Sequence, residues 1–194
     1  MDNKLAPWVM GLIIVLVFIL DQVTKYITKV SMYLGQSFSV WGDFFRITYV
    51  ENPGMAFGMR IENNALFLGL SIFAMALVLY YLYRLRNDGW LIQSALSLIT
   101  AGALGNIYDR FIHGRVIDFL DFEFFDISIP AFQFLFIHFS GYSMTRWPVF
   151  NVADSAVTIG MLFIFTHLIL YGDPLKTKSV SPEPQNDTQR NQRY

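Results

Sequence analysis

The stretch FNVADSAVTIGMLFIFTHLILY, residues 150–171, decides what kind of fold this chain can adopt. From residue 152 onward it supplies about 20 mostly apolar residues, the number that a helix needs to cross a hydrocarbon core about 30 Å thick. Asn151 and Asp154 nevertheless stand at its beginning, where a charged group is costly unless it has a role. The stretch therefore predicts a membrane span with a polar site at one end.

The composition of the whole chain is also that of a membrane protein. Of its 194 residues, 54% are hydrophobic and only 15% are charged, which is too apolar for an ordinary soluble domain. The formal net charge of -1 gives no sign of a broad basic surface, so we expect no nucleic-acid partner. The chain has no cysteine, which excludes disulfides, thiolate metal sites and cysteine nucleophiles. Any chemistry must use carboxylates, hydroxyls or histidines.

Four apolar stretches are long enough to cross a membrane as helices. They cover residues 8–27, 64–84, 90–108 and 152–171. Short cytoplasmic loops carry an excess of Lys and Arg, and the loop after residue 84 is short and basic. We therefore expect a multi-pass protein with both termini in the cytoplasm and with segments 28–63 and 109–151 on the outer side.

The two outer segments differ in pattern. In the first, FRITYV has the β-branched and aromatic content of a strand and NPG marks a turn, so we expect a small sheet. In the second, residues 122–148 are rich in Phe but are interrupted by Pro130, Gly141 and Pro148. This pattern favours an amphipathic flap at the membrane interface over a fifth span.

The predicted fold follows from these elements. Residues 1–172 are expected to form a single all-α membrane domain. Its architecture would be a four-transmembrane-helix bundle with a small extracytoplasmic β element and an interfacial flap. Residues 173–194 are polar and rich in Pro, Ser and Gln, so we expect a disordered cytoplasmic tail.

Alternating spans would bring scattered polar motifs to one face of the membrane. Each motif also has a simpler interpretation. Asp21 and Lys25 could form an i, i+4 ion pair, and Asn151 could cap a helix with Asp154 in its first turn. Because all of them share one face, a functional site is the better interpretation. The residues concerned are Asp21, Lys25, Asn52, Asn106, Asp109, Arg110, Asp118, Asn151 and Asp154.

Asp118 and Asp154 are the carboxylates with the most apolar sequence surroundings. Asp118 lies between RVI and FL, and Asp154 opens a span in NVADSAV. If the two fold close together they cannot easily both ionise, so they would share a proton as in aspartic proteases. The ionised group would then activate a water molecule while the protonated group polarises a peptide carbonyl. Ser155 and Thr158 lack an obvious Lys or His base, so we expect no serine mechanism.

A small transporter or proton-relay subunit is the alternative, with Asp118 and Asp154 as relay carboxylates. A relay would also need ionisable groups along the path to the opposite face, and spans two and four offer only His167 there. His113, His138 and His167 share no metal-ligand spacing, so we expect no metal. The one-sided placement of the polar residues favours an enzyme.

Four motifs resemble those of lipoprotein signal peptidase, also called signal peptidase II. They are DQVTK at 21–25, ENPGMAFG at 51–58, GNIYDRFIHGRVIDF at 105–119 and FNVADSAVTIG at 150–160. The resemblance implies an aspartic endopeptidase that removes signal peptides from diacylglyceryl-modified prolipoproteins, just before the lipidated cysteine. It also implies an active site at the outer face of the bacterial inner membrane among membrane lipids, no cofactor, and inhibition by globomycin.

The same resemblance implies a role for each motif residue. Asp118 and Asp154 take the places of the catalytic dyad. The positions that line the site and engage the substrate fall on Asn52, Asn106, Arg110 and Asn151. The supporting positions fall on Asp21, Lys25, Asp109 and Gly54. One departure is the connection between the two aspartates, 35 residues from 119 to 153, which looks longer than is usual in the family. We expect its extra part to be an interfacial flap that gates or holds the lipid-modified substrate.

Overall fold

The computed structural model describes residues 4–53, 55–56, 59–60, 64–130, 132–134, 137–139 and 142–174. Its four helices are α1 Pro7–Ser31, α2 Asn64–Arg84, α3 Trp90–His113 and α4 Val152–Tyr171. Within the described residues, α1, α3 and α4 are long and apolar enough to cross a membrane. The protein is therefore a helical membrane protein. Most of the predicted tail, from residue 175 onward, lies outside the described residues.

Each predicted span coincides with a helix, but two helices are longer than predicted. Helix α1 continues past residue 27 to Ser31, and α3 continues past residue 108 to His113. The residues added, 28–31 and 109–113, include polar side chains that interrupt the apolar run. A prediction based on apolar run length therefore ends before them. Gly114 terminates α3 with a φ of 70°, a left-handed conformation that glycine adopts readily.

The strands form a three-stranded antiparallel sheet and three two-stranded pairs within the described residues. In chain order they are β1 Ser37–Trp41, β2 Phe45–Asn52, β3 Met55–Ala56, β4 Met59–Arg60, β5 Val116–Phe122, β6 Ile127–Ile129, β7 Phe132–Phe134, β8 Ile137–Phe139 and β9 Tyr142–Met144. The sheet has the order β1-β2-β5. The predicted strand FRITYV lies in β2, so a small β element is confirmed.

Strand β5 is a feature that the sequence pattern does not predict. It pairs with β2 so that Val116 lies opposite Asn52 and Asp118 lies opposite Val50. Alternate residues of a strand point to the same face of the sheet, so Asn52 and Asp118 share one face. The sheet therefore brings together two polar motifs that are far apart in the chain.

The described residues of the segment predicted as a flap include two antiparallel strand pairs, Ile127–Ile129 with Tyr142–Met144 and Phe132–Phe134 with Ile137–Phe139, here called the hairpin. Strand β6 pairs with β9 and β7 pairs with β8, both antiparallel. The prediction of an amphipathic interfacial segment specified no secondary structure, and these short strands supply it. The position of the hairpin relative to the membrane stays a prediction.

Close packing of α3 against α4 brings the end of one helix beside the beginning of the other. Gly102 on α3 lies against Ala153 on α4, and Gly160 on α4 lies against Ala95 on α3. A Cβ atom at Gly160 would lie 2.7 Å from the Ala95 carbonyl oxygen. Small residues let membrane helices approach this closely, which favours their association by van der Waals contact.

We expect Gly160→Ala to lower the apparent unfolding temperature in detergent. The new Cβ would meet backbone on α3, and separating the helices costs about 1–3 kcal/mol. The matched control is Gly11→Ala on α1, where a Cβ has no neighbour within 4 Å. Its unfolding temperature should equal that of the parent or exceed it slightly, because Ala favours helix over Gly. An unchanged midpoint for Gly160→Ala would contradict the packing described.

Candidate active site

Asn151 joins the two aspartates that the sequence singled out. It caps α4: its side-chain oxygen accepts a hydrogen bond from the Asp154 backbone N–H at 2.9 Å. The Asp154 carboxylate in turn accepts from the Asn151 backbone N–H at 3.2 Å, which completes a capping box. The side-chain amide of Asn151 donates to Asp118 Oδ1 at 2.7 Å. The simpler interpretation of Asn151 as a helix cap is therefore correct, and the same side chain also holds Asp118.

Two further asparagine amides donate to these carboxylates. Asn106 Nδ2 donates to Asp154 Oδ1 at 2.7 Å, and Asn52 Nδ2 donates to Asp118 Oδ2 at 3.2 Å. Asn106 Oδ1 also accepts from Asn151 Nδ2 at 3.2 Å. Each carboxylate is thus oriented by neutral donors from two different elements. Neutral donors fix the position of a carboxylate without adding a full positive charge, which leaves proton sharing possible.

Asp118 lies in a poorly hydrated place, with only 3% of the residue exposed. Burial, and after it the negative charge of Asp154, raises the pKa of Asp118 from 3.8 to about 7. The hydrogen bonds from Asn52 and Asn151 act in the opposite direction and are outweighed. A carboxyl group with this pKa carries a proton over much of the range below neutrality, so it can act as a general acid.

A buried ion cluster supports the asparagines. Lys25 Nζ lies 2.8 Å from a carboxylate oxygen of Asp21 and 2.8 Å from one of Asp109, and these side chains are at most 3% exposed. Lys25 Nζ also donates to Asn106 Oδ1 at 3.0 Å. Asp21 accepts from the Ala153 backbone N–H at 2.9 Å. The cluster therefore connects α1, α3 and the first turn of α4, and the predicted i, i+4 pair is part of it.

Lys25 also determines which way the Asn106 amide faces. An ammonium group has N–H donors and no acceptor, so only the oxygen of the amide can face it. The NH₂ group of Asn106 is then directed to Asp154. By orienting the Asn106 amide, the ion cluster directs the NH₂ group that donates a hydrogen bond to Asp154.

Arg110 and Gln22 complete the polar cluster. Arg110 Nη1 donates to the Asn106 carbonyl at 3.2 Å, and its positive charge attracts Asp118 and Asp154. Gln22 Nε2 donates to Asp109 Oδ1 at 3.1 Å. The sequence does not single out Gln22. A lone glutamine has no periodic signal, and its place beside the Asp21 motif is the only clue.

Nine of the ten predicted site residues lie in the described part of the chain, and the structure brings all nine to one end of the bundle. The tenth, Gly54, lies outside the described residues. Gly105 was not predicted but is needed for this packing, because a Cβ there would lie 2.5 Å from Asp21 Oδ2. Across the ranges given above, no group of three or more His, Asp or Glu side chains is arranged to hold a metal ion.

Comparison with known proteins identifies the family. The family model described as Signal peptidase (SPase) II matches residues 13–170. The chain belongs to the signal peptidase II family. Lipoprotein signal peptidase from Syntrophus aciditrophicus (strain SB) is 38% identical over 159 residues, which cover 79% of this chain and 88% of that protein. Its counterpart from Staphylococcus aureus (strain Newman) is 36% identical over 169 residues, which cover 87% of this chain and 93% of that protein.

Solved structures agree with the family assignment. A bacterial membrane enzyme solved by the in meso method at 2.3 Å resolution matches with a TM-score of 0.69 and 32% identity, covering 94% of this chain and 98% of its own. A second, at 1.9 Å resolution, matches with a TM-score of 0.66 and 34% identity, covering 88% of this chain and 99% of its own. The chain is thus a multi-pass membrane peptidase of the signal peptidase II type. The resemblance seen in the four motifs is confirmed, and the transporter alternative is not favoured.

We expect Lys25→Met to destabilise the protein by about 3–5 kcal/mol, because it leaves Asp21 and Asp109 buried without a counter-charge. The measurement is the free energy of unfolding in detergent. Lys29→Met is the matched control, since Lys29 is exposed on the same helix and its loss should cost less than about 0.5 kcal/mol. Equal stabilities for the two variants would show that the buried cluster does not stabilise the fold.

Proposed function

We propose that this peptidase removes signal peptides from diacylglyceryl-modified prolipoproteins, cleaving before the lipidated cysteine, with Asp118 and Asp154 as its catalytic pair. The observation that carries the proposal is the contact of both aspartates with Asn151. Its relatives are named lipoprotein signal peptidase, which supports the substrate class. The burial of Asp118 among amide donors supports the chemistry.

In the proposed reaction the two carboxyl groups share one proton. The ionised group takes a proton from a water molecule as the water oxygen attacks the peptide carbonyl carbon, and the protonated group donates to the carbonyl oxygen. The tetrahedral intermediate then collapses and the C–N bond breaks. The group that took the water proton donates it to the leaving amine, and the other group takes back a proton from a hydroxyl of the intermediate, which restores the starting state of the pair. The raised pKa of Asp118 supports it as the group that carries the proton at the start. The pair would titrate as one coupled unit.

The remaining polar residues of the cluster are proposed to line and support this pair. Arg110 places a positive charge near both carboxylates, which favours their singly ionised state over the fully protonated one. The residues proposed to line the site and engage the substrate backbone are Asn52, Asn106, Arg110 and Asn151. Those proposed to support it are Asp21, Lys25, Asp109 and Gly54. No cofactor or metal takes part in the proposed reaction.

The proposed topology has four spans over a single domain, residues 1–172, in the bacterial inner membrane. Besides α1, α3 and α4, the stretch Leu68–Arg84 of α2 is also apolar. Arg84 ends this helix and Arg86 follows it, and basic residues favour the cytoplasmic side. Both termini would then lie in the cytoplasm. The sheet and the catalytic pair would lie at the outer face.

Aromatic side chains near the base of the hairpin support its proposed role as an interfacial flap that contacts membrane lipids. Trp41, Phe44, Phe124 and Trp147 are exposed, although they lie outside the helices. The Phe44 ring makes edge contacts with both Trp41 and Phe124, with centroids 5.5 and 5.9 Å apart. Trp in particular is enriched at headgroup depth, where its apolar body and polar N–H both find partners. A surface of this kind would hold the flap at the membrane.

We expect Asp118→Asn and Asp154→Asn each to lower kcat by about 10²–10⁴-fold, because each removes a group that transfers a proton. The assay is cleavage of a purified lipid-modified prolipoprotein, with inhibition by globomycin as a check on the site. Asp88→Asn is the matched control, since Asp88 lies in the short loop between α2 and α3, at the other end of α3 from the aspartates. Near wild-type turnover by either folded dyad variant would refute the proposed mechanism.

The stability of the wild type is expected to decrease relative to Asp118→Asn as the pH rises from about 4 to about 7. Folded Asp118 keeps its proton up to a pH of about 7, whereas the unfolded chain loses it near 3.8. Between these values the folded state binds more protons, so raising the pH favours unfolding. The measurement is the unfolding midpoint of the wild type and of Asp118→Asn at several pH values between about 4 and about 7. Parallel pH profiles would contradict the raised pKa.

A further inference from the structure

The long connection between the two aspartates closes on itself at its base. The Trp147 backbone N–H donates to the Phe122 carbonyl at 2.9 Å. Phe150 and Leu120 exchange backbone hydrogen bonds in both directions, at 2.7 and 3.0 Å. Residues 147–150, here called the return segment, therefore run antiparallel along β5 and lead directly into Asn151. The hairpin branches off from this closed base.

Arg146 joins three parts of the chain at the base. Its Nε donates to Asp121 Oδ1 at 2.7 Å, and its Nη2 donates to the Asp121 carbonyl at 3.3 Å. Its Nη1 donates to Glu123 Oε2 and to the Asp43 carbonyl at 2.9 Å. The second carboxylate oxygen of Asp121 accepts from Thr48 Oγ1 at 2.5 Å. One guanidinium group thus connects β5, the β1–β2 turn and the start of the return segment.

The Arg146–Asp121 contact is partly buried, which makes it stronger than an ordinary surface ion pair. The side chains of Arg146 and Asp121 are 23% and 8% exposed, whereas Arg115, which pairs with Glu51, is 54% exposed. Charge-assisted hydrogen bonds that are shielded from water and made by several N–H groups of one guanidinium hold a fixed geometry. A well-exposed pair contributes little by comparison.

We propose that Arg146 is a positioning residue, which sets where Asn151 meets Asp118 by clamping the return segment to β5. The proposal rests on the proposed function, because it takes Asp118 and Asp154 as the groups that react. None of the Arg146 contacts described above involves either aspartate. Its proposed effect reaches them through residues 147–150, whose backbone hydrogen bonds to β5 end at the residue before Asn151.

Loop closure explains why such a clamp is needed in this chain. Holding the ends of a flexible connection together costs conformational entropy that increases with the logarithm of its length. The connection here spans residues 119–153, and the two aspartates lie on either side of it. Because Arg146 is held on β5, only residues 147–150 lie between the clamp and Asn151. The geometry of the pair then becomes independent of the hairpin.

The first test compares two substitutions of Arg146 in the full-length protein. We expect Arg146→Met to lower kcat at least tenfold while KM changes less than twofold, because the substrate still binds but the aspartates are misplaced. The kcat of Arg146→Lys should lie between those of the parent and Arg146→Met. An ammonium group can keep the Asp121 contact but cannot form all the hydrogen bonds of a guanidinium group. Arg86→Met is the matched control: it removes the same charge from the α2–α3 loop and should retain the parent kcat.

The second test shortens the connection. Replacing residues 124–145 by a two-residue Asn-Gly turn closes the base covalently, because Asn-Gly suits a tight hairpin turn. In this shortened protein Arg146→Met should change kcat less than twofold. The same kcat loss in the short and the full-length proteins would overturn the proposal, because Arg146 would then act only through local contacts.

The full-length variants test the proposed role of Arg146 even if the shortened protein does not fold. A loss in Arg146→Met that appears only in KM, or a kcat per folded molecule equal to that of the parent, would also overturn the proposal. Failure of the proposed function has a different signature. In that case Asp118→Asn would keep its activity in the same assay, whatever the result for Arg146.

Discussion

The contact of Lys25 with Asp21, Asp109 and Asn106 is the interaction on which the rest of the site depends. A buried ammonium group is tolerable only when its N–H groups find acceptors and its charge finds an opposite one. Here both conditions are met by residues from two helices, and Asp21 reaches a third helix through the Ala153 N–H. The same contact orients the Asn106 amide, so that the stability of the bundle and the arrangement of the site share one cause.

The immediate neighbours of the two aspartates are amides, with full positive charges further out. Asn52, Asn106 and Asn151 orient the carboxylates by donating hydrogen bonds. A lysine in direct contact would hold both carboxylates ionised and would remove the proton that an acid–base reaction needs. With amides in contact, burial is the largest influence on Asp118 and its pKa is raised. This layering explains why an apolar chain contains so many asparagines at one place.

The long connection between the aspartates does not disturb their arrangement, because its two ends pair with each other before the hairpin begins. Backbone pairing of residues 147–150 with β5 and the Arg146–Asp121 contact occur at the sheet, next to the pair. Additional residues beyond this base add surface without lengthening the part that positions Asn151. The hairpin therefore adds surface without changing the arrangement of the two aspartates and their asparagines.

Local patterns in the amino-acid order were enough to predict the four helices, the strand in β2, the Asn151 cap and the Asp21–Lys25 pair. Each of these depends on apolar run length, on a short run of β-branched and aromatic residues, or on residues three or four positions apart. Folding alone decided that Val116–Phe122 would be a strand paired with β2, that Gln22 would bind Asp109, and that Arg146 would clamp Asp121. These partners are distant in the sequence, and a hydrogen bond between distant residues leaves no periodic trace in the order of either one.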